Sequence, residues 1–110
     1  MKYGYARDTG DHDLALQLME LKKEDCQSVI TENDQAFRDL KDLLSRMNKG
    51  ETLVVWRIDK LANSLTQLDE LVKELQLLDV TLCSIVERFD SSKDSGITTT
   101  IIRKLAELEK

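Results

Sequence analysis

Apolar positions along the chain switch between a period near two and a period near 3.6, and the switches fall at regular intervals. Tyr3–Arg7 reads as a first strand, and the segment 11–23 follows as a helix with Leu14, Leu18 and Leu21 on one face and Asp11 or Asp13 as its N-cap. Cys26–Thr31 ("CQSVIT") reads as a second strand. The segment 36–48 then places Phe37, Leu40, Leu43, Leu44 and Met47 on one helix face, with Gly50 as a stop signal. "TLVVWRI", Thr52–Ile58, is nearly continuous in apolar residues, as in a central strand buried on both sides, and places Trp56 in the core. Ser64 reads as the N-cap of a third helix, with Leu65, Leu68, Leu71, Val72 and Leu75 on one face. "VTLCSIV", Val80–Val86, is a fourth strand. Ile97–Lys110 carries Ile97, Ile101, Leu105 and Leu108 at helical spacing.

Strand and helix thus alternate four times, which predicts an α/β domain with a mainly parallel central sheet of four to five strands between layers of helices. There is no Pro, no low-complexity tract and no internal repeat, so residues 1–110 read as one domain. In open parallel sheets the chemistry sits at the carboxyl ends of the strands. The loops that converge there are "RDTGDHD", "TENDQA" and "RIDKLANS".

Composition narrows the function. The formal net charge is −5, with 16 Lys and Arg against 21 Asp and Glu. Binding to DNA draws much of its affinity from neutralised phosphates, so a chain without a basic face is expected to bind DNA weakly or not at all by itself. No run approaches the ~18 apolar residues of a membrane span, and "MKYGYAR" does not read as a signal peptide. Cys26 and Cys83 are far apart, lie in apolar surroundings and read as reduced thiols packed in the core of a cytoplasmic protein. Asp8, Asp11, His12 and Asp13 cluster after the first strand, but their spacing fits neither an EF-hand nor a zinc motif. Helix capping is the simpler reading, and no metal or other cofactor is expected.

The three loops and their strands resemble the catalytic domain of the serine recombinases, the resolvase/invertase family. "YGYAR" with a hydroxyl two residues on is similar to that family's G-Y-x-R-V-S-T pattern, and "ALQLMELKKEDC" resembles the helix that follows, with its Leu–Gln pair at Leu16–Gln17. "KGETLVVWRIDKLANSL" resembles G-D-T-L-V-V-W-x-x-D-R-L-x-R-S in length and order. "SIVERFDSSKDSG" is similar to a later segment, and "KLAELEK" to the start of the family's dimer helix. The resemblance runs over essentially the whole chain. It implies a resolvase-like fold and a metal-free reaction in which a serine hydroxyl attacks a DNA phosphodiester. Arginine forks would stabilise the charge that develops on the phosphate.

Carried over position by position, the resemblance equates Arg7 with the first-strand arginine, Asp59 with the third-strand aspartate and Thr9 with the nucleophile. Other positions depart from the pattern. Asp8 puts a carboxylate beside the nucleophile position, where it would repel phosphate and compete for Arg7. Lys60 and Asn63 stand where the family has arginines. The loop after the second strand is shorter than the family's mobile loop, and its nearest basic residue, Arg38, is followed by Asp39 rather than proline. Thr9, Arg7, Asp59 and Lys60 are therefore the family-equivalent catalytic positions. Arg7, Arg38, Lys60 and Asn63 are the candidate phosphate contacts. Loss of one charge-stabilising group of this kind costs ~10²–10³ in rate, so several losses predict an inactive centre. In a dismantled centre, Arg7 and Asp59 are free to form an ion pair across the strand ends.

The sequence thus favours a catalytically inactive serine-recombinase-like domain acting through protein–protein contact. Its expected partner is a second copy or a recombinase-like protein, held through Ile97–Lys110, with no helix-turn-helix reader following within the 110 residues. One alternative is a divergent recombinase with Thr9 as nucleophile. Another is an α/β domain that binds a phosphate or small molecule at the same strand edge.

Overall fold

The computed structural model describes residues 1–91 apart from 9, 11, 34–36 and 63, and leaves the side chains of Asp59, Leu65 and Phe89 undescribed. A five-stranded sheet carries the fold in the order β2-β1-β3-β4-β5. β1 spans Lys2–Arg7, β2 Ser28–Glu32, β3 Thr52–Val55, β4 Thr81–Ser84 and β5 Phe89–Asp90. The first four run parallel, and the two-residue β5 pairs antiparallel with β4. The helices are α1 Leu14–Lys23, α2 Arg38–Arg46 and α3 Leu65–Leu78. The predicted mainly parallel α/β sheet is what forms. The fourth predicted helix, Ile97–Lys110, lies outside the described residues.

Alternation along the strands divides the core in two. Tyr5, Leu53, Val55 and Leu82 face α2 and α3 and join Leu40, Leu43, Leu44, Leu68, Val72 and Leu75 in the larger cluster. Ala6 and Val54 face the other way, onto Leu21 of α1, with Leu14, Leu18, Cys26 and Cys83 packed around them. Both thiols are partly buried, in line with the packing role expected of them.

Local signals explain the helix starts unevenly. Ser64 caps α3, its hydroxyl accepting a hydrogen bond from the Gln67 amide at 3.1 Å. α2 begins instead after Phe37, a bulky residue with left-handed backbone (φ 57°) and no side-chain cap of its own. Asp13 occupies the N-cap position of α1, yet its carboxylate caps nothing, which corrects the capping role expected of it.

β3 is shorter than the apolar run that predicted it. Its ladder ends at Val55, opposite Tyr5, and the chain then leaves the sheet for a 3-10 turn at Ile58–Lys60. Trp56 therefore is not a core residue of a central strand. It is half-buried at the sheet's carboxyl edge, with the Arg57 guanidinium 5.5 Å and the Lys60 ammonium 5.9 Å from its ring centroid.

Candidate active site at the carboxyl edge of the sheet

Parallel strands bring the ends of β1, β2 and β3 to one edge, and the residues there are more buried than solvated. Arg7, the last residue of β1, is 5% exposed. Its backbone is held by Gln17 of α1 at both polar groups. The Arg7 amide donates to Gln17 Oε1 at 3.0 Å, and Gln17 Nε2 donates to the Arg7 carbonyl at 2.9 Å. Gln17 is wholly buried on the apolar face of α1, so these bonds satisfy a side chain that would otherwise be costly to bury. The Arg7 guanidinium lies over the Phe37 ring, its carbon 4.0 Å from the centroid.

Lys60 closes the 3-10 turn after β3 and is also buried. Its Nζ is 2.8 Å from Asp13 Oδ2, and the other Asp13 oxygen accepts from Gln17 Nε2 at 2.8 Å. Partial burial would raise the Asp13 carboxyl, but hydrogen bonds from Lys60 and Gln17 together with the Lys60 charge hold it below the usual carboxylate range. One chain of contacts therefore runs from the Arg7 backbone through Gln17 and Asp13 to Lys60. The turn bearing Lys60 is held in its own right by Glu87, whose Oε1 accepts from the Ile58 amide at 3.2 Å and also from the Ser84 hydroxyl.

The third loop contributes a buried carboxylate. Glu32 ends β2 with no exposed surface, and accepts from the Tyr5 hydroxyl and from the Asp39 amide at 2.6 Å. Burial first, and then Glu32, push the Tyr5 hydroxyl's pKa upward, so it stays protonated as the donor. Asp8 is exposed, with its Oδ1 accepting from the Gly10 amide at 3.0 Å in an Asx turn.

Of the positions singled out in the sequence, the fold brings Arg7 and Lys60 to this edge and links them through Gln17 and Asp13. Arg38 is the exposed first residue of α2. Thr9, Asn63 and the Asp59 side chain lie outside the described residues and atoms, so the expected Arg7–Asp59 pair does too. Sequence reasoning missed three contributors: Gln17, Glu32 and Phe37. Gln17 left a signal, being a polar residue on the stripe Leu14, Gln17, Leu18, Leu21. Glu32 left none, because a strand-end glutamate is ordinarily solvated.

The comparisons assign a family to this parallel α/β sheet with Arg7 and Lys60 at its carboxyl edge. Residues 2–110 match the family model "Resolvase, N terminal domain". The chain belongs to that family. Among curated relatives it is 33% identical to the serine recombinase gin of Escherichia phage Mu, over 100% of this chain and 60% of the relative. It is likewise 33% identical to the DNA-invertase hin of Salmonella typhimurium, over 97% of this chain and 60% of the relative. The chain thus spans about three-fifths of the length of these relatives. Two solved structures share the fold. The N-terminal catalytic domain of TP901-1 integrase superposes with a TM-score of 0.73 at 21% identity, each chain wholly covered. A resolvase family site-specific recombinase from Streptococcus pneumoniae gives a TM-score of 0.70 at 18% identity, covering 98% of this chain and 86% of the other. No helix among the described residues is long and apolar enough to cross a membrane.

Proposed function

We propose that this chain is a resolvase-type catalytic domain that does not cleave DNA and acts by protein–protein contact, with a second copy or a recombinase-like protein as partner. The observation that supports this most strongly is the Lys60–Asp13 ion pair, 2.8 Å long between side chains that are 4% and 18% exposed. Phosphoryl transfer without a metal requires cations directed at the phosphate oxygens. Lys60 instead spends its charge on a carboxylate of its own chain, Arg7 is stacked beneath Phe37, and Asn63 carries no charge. Contact through Ile97–Lys110 belongs to this proposal and rests on the amphipathic spacing of that segment.

A plasmid assay tests it. Supercoiled DNA bearing recombination sites, incubated with the purified chain, is expected to remain supercoiled while an active recombinase nicks or relaxes it. A second reading is favoured by the relatives, which include serine recombinases and DNA invertases. In it, Thr9 attacks DNA with help from Arg7, Lys60 and Arg38. Relaxation abolished by Thr9→Ala would establish that reading and overturn the first.

A further inference from the structure

α2 has an unusual N-terminus, because its cap comes from another element. Glu32 of β2 accepts from the Asp39 amide at 2.6 Å and reaches the Leu40 amide at 3.4 Å, the second and third amides of the helix. These are the donors that an N-cap side chain would serve. The N-cap residue itself, Phe37, has no group to serve them and sits in left-handed backbone, with φ 57° and ψ 38°. A bulky side chain disfavours that conformation, so something outside the local sequence must hold it. Two contacts do so. The Tyr5 hydroxyl donates to the Glu32 carboxylate, fixing the cap on β1, and the Phe37 ring is buried against the core.

The consequence falls on Arg7. Its guanidinium and the Phe37 ring are in contact at 4.0 Å, and each residue is 5% exposed. We propose that the first turn of α2 is a cover over Arg7, with Phe37 as its lid and the Tyr5–Glu32 pair as its latch, so that an anion reaches Arg7 only when this turn lifts. This rests on Arg7 being a candidate phosphate contact, as the family resemblance implies, and it adds that the first turn of α2 withholds this cation from phosphate. The left-handed backbone at Phe37 and the cap borrowed from β2 mean that contacts outside the turn's own sequence hold it in place, so loss of the Glu32 contact is the step that would release it.

Arginine-selective modification by phenylglyoxal reads the cover directly. Peptide mass mapping would follow the rate at Arg7 against Arg46, an exposed residue at the far end of α2. In the unmodified chain Arg7 is expected to react at least about tenfold more slowly than Arg46. Glu32→Gln, which removes the charge of the latch at constant size, and Phe37→Leu, which keeps an apolar core residue but removes the ring, should each raise the Arg7 rate about tenfold. Circular dichroism confirms that the variants fold, and Tyr5→Phe is a third, milder route to the same opening. An Arg7 rate equal to that of Arg46 in the unmodified chain, or folded variants with no gain, would overturn the proposal. Adding a short DNA duplex to the opened variants separates the two readings. Protection of Arg7 supports both. A gain in reactivity that the duplex leaves unchanged keeps the cover and rejects the phosphate-facing role of Arg7.

Discussion

The Lys60 ammonium sits 2.8 Å from the Asp13 carboxylate, joining the turn after β3 to the start of α1 inside the protein. A cation held in this way is part of the fold's cohesion, and removing either partner has a predictable and unequal effect. Asp13→Asn removes the charge that faces the nearly inaccessible Lys60 ammonium and should destabilise the domain by about 2 kcal/mol. Lys60→Met fills the same space and leaves Asp13 with its Gln17 bond and some solvent contact, so the loss should be only ~1 kcal/mol. Urea denaturation of the two variants checks the order.

The same pair predicts an acid dependence. The Asp13 pKa is lower in the folded chain than in the unfolded one, so the unfolded state binds the proton more readily. Stability from this group is complete above the unfolded value of ~3.9 and is lost as pH falls through the folded value. Comparing stability at pH 6 and pH 3 should show a smaller drop in Lys60→Met than in the unmodified chain.

How much of this was legible in the sequence depended on whether a signal was local. Periodicity set out the three strand–helix alternations found among the described residues, and the Ser64 cap was readable because the accepting hydroxyl and the donor amide lie three residues apart. The apolar run through Trp56 misled, since hydrophobicity alone does not show where a ladder ends. Val55 is its last paired residue, and the chain then turns to bring Lys60 back toward α1. Asp13 was visible as a helix-start residue but not as the partner of Lys60, 47 positions away in the chain. Phe37 was correctly apolar and buried, but its place over Arg7 depends on Glu32 and Tyr5, which no local pattern connects.

Glu32 should be among the residues least tolerant of truncation. Glu32→Ala leaves the Tyr5 hydroxyl and two α2 amides without their acceptor, at a cost of about 3 kcal/mol. Tyr5→Phe removes one donor and leaves the cap in place, at ~1 kcal/mol. Equal losses in the two variants, measured by urea denaturation, would contradict this account of the network.

Gly4 predicts a size series on β1. A Cβ at this position would lie 3.1 Å from Val29 Cγ2 and 3.2 Å from Cys26 Sγ, close enough that both must shift slightly. Gly4→Ala should cost at most ~1 kcal/mol, because the neighbours are side chains and the unfolded chain loses freedom. Gly4→Val should cost about 3 kcal/mol by overpacking against α1. Thermal denaturation would show the step.

The thiols should be slow to react while the protein is folded. Burial, and then Asp90, push Cys83 up to about 11, and burial raises Cys26 as well. Alkylation of Cys83 by iodoacetamide at pH 8 should run on the order of a hundredfold slower than for an unperturbed thiol, and become fast in urea.

The central claim is that the centre does not attack DNA, and intact-protein mass tests it most directly. The chain would be incubated with supercoiled DNA carrying recombination sites, the DNA trimmed with nuclease, and the protein weighed beside an active serine recombinase treated identically. The account predicts an unchanged mass for this chain and a nucleotide adduct on the control. A nucleotide-sized increase mapping to Thr9 would contradict it and make the chain a DNA-cleaving enzyme.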